Sequence, residues 1–182
     1  MTIPLKMKKK LISIILITLG ISTVIGSQLN QNDNEIFTIY LVRHAEKDLT
    51  SNNGGDPPLT PCGEQRSEKL SLLLSDVNLD AVYSTNYART KNTALPTATA
   101  KGLKIQEYSA QDFEVLSKLL IKRKQDALVV GHSNTTGVLA SMLVGEELAD
   151  IDLDTYNRVY QVVIHKKSSR LNLLHTAFRC ND

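Results

Sequence analysis

Three short apolar, β-branched runs in this chain each lead into a segment bearing a basic residue, and that pattern restricts the fold most. Ile36–Val42 runs directly into Arg43 and His44, Ala81–Tyr83 into a polar stretch ending at Arg89, and Ala127–Val130 into Gly131-His132. Continuous apolar runs of this length read as strands buried on both faces, the mark of parallel sheets covered by helices. Helical segments fill the intervals. Thr60 is placed as an N-cap with Pro61 at the first helical position, opening a helix to about Asp76 whose apolar face is Leu70, Leu72, Leu73 and Leu74. A second helix follows Arg89, with Pro96 expected to bend or interrupt it. Lys104–Tyr108 reads as a further strand, and Asp112–Lys122 as a helix with Phe113, Val115, Leu116, Leu119 and Leu120 inward. Helical spacing resumes over Thr135–Val144.

The C-terminus changes character. Val159–His165 and Leu171–Phe178, separated by Lys166-Lys167-Ser168-Ser169, read as a hairpin. The expected fold is therefore a three-layer α/β/α domain over residues 36–182, with a mostly parallel central sheet and antiparallel strands at its C-terminal edge. Ser51–Pro58, rich in Asn, Gly and Pro, must be a loop.

Residues 1–27 have a different composition. Lys6, Lys8, Lys9 and Lys10 precede an uncharged stretch from Leu11 to Ile25, closed by Gly26 and Ser27. That is the pattern of an export signal, followed by a polar linker over 28–35. An uncleaved membrane anchor is the alternative, although the apolar run falls short of about 18 residues. Periplasmic or secreted localisation is the corresponding expectation. The segment holds four lysines and no acid, so its removal turns the formal charge of +2 into −2. A weakly acidic domain with scattered Lys and Arg offers no electrostatic footprint for nucleic acid. Cys62 and Cys180 in an oxidising compartment can form a bridge or remain two unpaired thiols, since sequence does not fix their separation. Two cysteines and four histidines without metal-type spacing make no metal site, and no cofactor is implied.

In open α/β sheets the functional crevice lies outside the carboxyl ends of the strands. Arg43, His44, Arg89 and His132 all fall at that edge. Two arginines and two histidines there make a cationic cup suited to a phosphate, whose oxygens accept paired bonds from guanidinium.

The runs Leu41-Val42-Arg43-His44-Ala45-Glu46-Lys47, Leu59-Thr60-Pro61-Cys62-Gly63-Glu64-Gln65-Arg66, Tyr83-Ser84-Thr85-Asn86-Tyr87-Ala88-Arg89-Thr90 and Val130-Gly131-His132-Ser133-Asn134 together resemble the histidine phosphatase superfamily, the phosphoglycerate mutase-like group. The four blocks stand in the family's order between Ile36 and about Val144. The short chain looks like the small branch of mutases and phosphohistidine phosphatases. The resemblance implies that His44 attacks phosphorus and carries the phosphoryl group, while Arg43, Arg89 and His132 hold its oxygens. Neighbouring arginine charge would keep that imidazole neutral, as a nucleophile requires. Ala45 stands where the family usually has Gly. The family's acid/base carboxyl has no unmistakable match; Asp112 is the first candidate, with Glu46 and Glu107 behind it. Next to Gly63 in the helix start, Cys62 makes a structural disulfide with Cys180 more attractive than a redox role.

The implied activity is hydrolysis of a phosphate monoester, the partner being a small phosphorylated substrate, a phosphoprotein or an envelope sugar phosphate. Export disfavours a glycolytic mutase, whose substrates are cytosolic. The membrane would be a partner only if the N-terminal segment stays uncleaved. Two rival readings remain. Gly131-His132-Ser133-Asn134-Thr135 sits between strand and helix like a serine-hydrolase elbow, with Ser133 as nucleophile, but Thr135 replaces the second Gly. Alternatively the cup binds a phosphorylated ligand without turning it over.

Overall fold

Side chains of a strand alternate between faces, and β1 (Ile36–Arg43) uses that alternation to divide the core in two. Phe37, Ile39 and Leu41 join one buried cluster, Tyr40 and Val42 the other. The computed structural model describes residues 36–148 and 154–180. The expected export segment and linker, residues 1–35, lie outside the described residues.

The remaining elements are α1 (Pro61–Leu73), β2 (Ala81–Thr85), α2 (Ala88–Lys101), β3 (Ile105–Tyr108), α3 (Phe113–Arg123), β4 (Ala127–Gly131), α4 (Ser133–Val144), β5 (Arg158–His165) and β6 (Ser168–His175). The strands form one sheet in the order β3-β2-β4-β1-β5-β6. The first four are mutually parallel, β5 pairs antiparallel with β1, and β6 antiparallel with β5. This is the mostly parallel α/β/α architecture expected from the sequence. Leu70, Leu74, Ala94 and Ala98 of the α1 and α2 segments cover one face, and Leu116, Leu120, Leu139 and Leu143 of α3 and α4 the other.

Several local expectations are corrected. Leu72 and Leu73 are exposed, because α1 ends at Leu73 and turns only Leu70 and the following Leu74 toward the sheet. Val115 is likewise exposed, and Leu116 and Leu120 carry the buried stripe of α3. Helix α2 continues through Pro96 without a break. Proline's fixed φ is already helical, and the carbonyl it deprives of a partner, that of Asn92, belongs to an exposed residue that water can reach. The hairpin turn is shorter than expected. Ser168 and Ser169 already pair with His165 and Ile164, and the strand ends at His175 rather than Phe178.

Two features carry the loop that follows β1. Thr60 caps α1, its hydroxyl accepting the Gly63 N–H at 3.0 Å, and its own N–H donates to the Glu46 carbonyl at 2.9 Å. Gly63 is required for this approach, because a Cβ there would overlap the Glu46 carbonyl oxygen. Cys62, beside it, is joined to Cys180 by a disulfide with Cα atoms 5.7 Å apart, so the bridge expected from the sequence is present.

Candidate active site

Three adjacent strands, β2, β4 and β1, bring the sequence-selected residues to one sheet edge. Arg43 lies opposite Gly131 in the β1–β4 ladder, and the His44 N–H continues it by donating to the Gly131 carbonyl at 2.9 Å. His44 and His132 therefore leave neighbouring strands side by side, with ring centroids 5.4 Å apart in an edge-on arrangement. Arg89, on the first turn of α2, completes the group. Arg43, His44, Arg89 and His132 line one open cavity together with Lys47, Tyr87 and the start of α4.

His44 is 4 % exposed, and its Nδ1 lies 2.7 Å from the Ala45 carbonyl oxygen. A carbonyl only accepts, so Nδ1 carries the hydrogen and Nε2 keeps its lone pair. Burial lowers the His44 pKa from 6.5 to about 3. The charges of Arg43, His132 and Arg89 act in the same direction, and the Ala45 carbonyl opposes them. Ala45, in the family's usual glycine position, has no left-handed backbone. Its N–H donates to Thr93 Oγ1 at 2.9 Å, and that hydroxyl donates to the Arg89 carbonyl at 2.7 Å, tying the loop after His44 to α2.

His132 is lowered to about 4, by burial first and then by Arg89, Arg43 and Lys47. Its Nε2 lies 3.1 Å from Thr85 Oγ1 at the end of β2, and Tyr87 stands edge-on to it with centroids 5.3 Å apart. Both histidines thus bind fewer protons folded than unfolded between about pH 3 and 6.5. Their stabilising contribution is fully present above 6.5 and is lost as pH falls toward the folded values. Urea midpoints should accordingly drop between neutral pH and about pH 5, and a single His44→Asn substitution should flatten that slope.

The arginines are held from opposite sides. Arg43 donates to the Thr155 carbonyl and the Tyr156 hydroxyl, each at 3.3 Å, with its guanidinium 4.0 Å from the Tyr156 ring centroid. Arg89 lies over the Tyr87 ring at 4.3 Å and pairs with Asp56 at 3.4 Å. Both carboxylate oxygens of Asp56 also accept the Ala88 N–H, at 2.9 and 3.0 Å, fixing the Ser51–Pro58 loop to the start of α2. Arg89 Nε is buried with no acceptor, the condition of a donor prepared for an anion.

The three carboxyl candidates do not join the cavity. Glu46 is engaged by Arg66 through Nε at 2.9 Å and Nη2 at 2.6 Å. Glu107 pairs with Lys91 at 2.6 Å, and Asp112 sits exposed before α3. Ser133 opens α4, and among the described residues no imidazole bonds its hydroxyl. Asp56, Lys47, Tyr87, Thr93 and Tyr156 were not singled out from the sequence. Only Asp56 carried a local signal, as an acid in a Gly/Pro loop.

The sheet is that of the phosphoglycerate mutase-like fold, and its central strand ends together with α2 bring two histidines and two arginines to one cavity, a cationic lining suited to an anionic group. Residues 39–110 match the model of the histidine phosphatase superfamily, branch 1. Among solved structures it is similar to the α-ribazole phosphatase of Shigella flexneri, with 16 % identity and a TM-score of 0.64, covering 80 % of this chain and 100 % of that one. A mycobacterial glucosyl-3-phosphoglycerate phosphatase shows 12 % identity and a TM-score of 0.63, over 78 % of this chain and 100 % of that one. The protein histidine phosphatase SixA, complexed with tungstate, shows 18 % identity and a TM-score of 0.63, over 76 % and 97 %. No curated protein matches the sequence.

Proposed function

We propose that this chain is an exported phosphatase that hydrolyses a phosphate monoester through a phosphohistidine on His44. The observation that carries the reading is the His44 imidazole itself. It is buried among cations, held neutral, and fixed by the Ala45 carbonyl so that Nε2 keeps a lone pair in the cavity. Nε2 attacks phosphorus, a P–N bond forms, and the P–O bond to the leaving group breaks. Arg43 and Arg89 take the charge that spreads over the equatorial oxygens, including through the unpaired Arg89 Nε. His132 stands edge-on beside His44 and completes the cup, its Nε2 held 3.1 Å from Thr85 Oγ1. Water then attacks phosphorus, the P–N bond breaks, inorganic phosphate leaves, and the water's proton passes to solvent. Localisation outside the cytoplasm rests on the N-terminal segment, and the disulfide is consistent with an oxidising compartment.

Among the described residues none that lines the cavity is a carboxylic acid. An alkoxide leaving without a placed proton donor raises the barrier, so a good leaving group is favoured. The named relatives include a phosphatase of protein histidine, whose substrate releases an imidazole. Purified protein should therefore release phosphate from an aryl ester such as p-nitrophenyl phosphate at least about 100-fold faster than from an alkyl ester such as glycerol phosphate, the range a general acid supplies. Equal rates on both would mean that an acid reaches the leaving group. Binding of phosphate with no release from either ester would favour a receptor over an enzyme.

A further inference from the structure

Lys47 is the cation in this cavity that the reaction above does not use. It stands three residues beyond His44, half-buried, and its backbone is fixed by a bridge to Leu59. Its side chain lines the same cavity as His44, Arg89 and His132, and its charge helps to depress the His132 pKa. Its ammonium is therefore within electrostatic reach of the phosphoryl cup.

Arg43, Arg89 and Lys47 supply three fixed positive charges, and both histidines are neutral. Asp56 offsets part of the Arg89 charge from behind, and among the described residues no acid lines the cavity. Among the described residues the ion pairs are Arg66–Glu46, Arg89–Asp56, Lys91–Glu107 and Lys118–Glu114, so Lys47 has no carboxylate partner. The first turn of α4, on the cavity wall, adds the positive end of a 12-residue helix. A phosphate dianion engaging the two arginines leaves Lys47 and that helix end without a counter-charge.

We infer that Lys47 receives a second anionic group of the substrate, a carboxylate or another phosphate close to the scissile phosphoryl group. The inference rests on the proposed phosphoryl site and deepens it by naming the substrate class. Lys47 acts as a specificity determinant, contacting the part of the substrate that departs with the leaving group.

Calorimetric titration of the full chain with two non-hydrolysable phosphonates tests this independently of turnover. Phosphonoacetate, which carries a carboxylate beside its phosphonate, should bind about tenfold tighter than methylphosphonate, the gain of one charged hydrogen bond. Lys47→Met should bring the two affinities to within about twofold. Lys91→Met, whose lysine pairs with Glu107 away from the cavity lining, should keep the preference. Equal binding in wild type, or a preference that survives Lys47→Met, overturns the inference while leaving the phosphoryl site intact. Failure of both phosphonates to bind would remove the phosphoryl site, and the inference with it.

Discussion

His44→Ala lowers turnover of an aryl phosphate by at least about 10⁴-fold, a loss of roughly 5.5 kcal/mol of transition-state stabilisation. His132, the other imidazole among the described residues of the cavity, is engaged at Nε2 with Thr85. The variant should still bind inorganic phosphate, since Arg43 and Arg89 are anchored by Tyr156 and Asp56 rather than by the imidazole. Rapid-quench trapping should capture an acid-labile phosphoryl adduct in wild type and none in the variant. The pH profile provides a second readout. With its pKa near 3, His44 is already deprotonated throughout the range where an ordinary histidine titrates. Activity should therefore not fall between neutral pH and about pH 5 through protonation of the nucleophile. Turnover within tenfold of wild type in His44→Ala would identify a different nucleophile, and Ser133→Ala would then be the variant to measure.

Breaking the Cys62–Cys180 bridge has the largest expected effect on stability. It closes a loop with a sequence separation of 118 residues, for which chain entropy gives about 4.7 kcal/mol and measured losses run about 2–5 kcal/mol. For a domain of this size that corresponds to a fall in Tm of roughly 5–15 °C, measurable by calorimetry with and without reductant or in Cys180→Ser. Turnover at room temperature should survive. Arg66 holds Glu46 through several bonds and donates to the Phe178 carbonyl at 3.1 Å, so the loop after His44 stays anchored without the sulfurs. Loss of turnover in a Cys180→Ser protein that remains folded would mean that the bridge itself shapes the cup.

The strand ends were legible because two of the buried runs lead straight into residues that line the cavity. Val42 is followed by Arg43 and His44, and the β4 ladder ends at Gly131, one residue before His132. The residues that aim these groups were not legible. Tyr156 reaches Arg43 across 113 residues of sequence, and Asp56 reaches Arg89 across 33, separations at which no local pattern operates. Glu46 was a reasonable acid by sequence because it lies two residues from His44. It is lost to that role because the fold delivers Arg66 to it. Leu72, Leu73 and Val115 were misplaced for a simpler reason: apolar side chains outnumbered the width of the face that α1 and α3 turn to the sheet.

The position of β1 in the sheet also sets the order in which this protein can assemble. Its two partners, β4 and β5, begin at residues 127 and 158, so the strand that leads into His44 has no neighbour until most of the chain has been synthesised. The earlier strands β2 and β3 can pair with each other alone. Topologies dominated by such distant pairings fold slowly, and the edge that carries His44 and His132 is among the last parts to close. The first strand of the domain thus stays unpaired for longer than in a protein whose first strand pairs with its second.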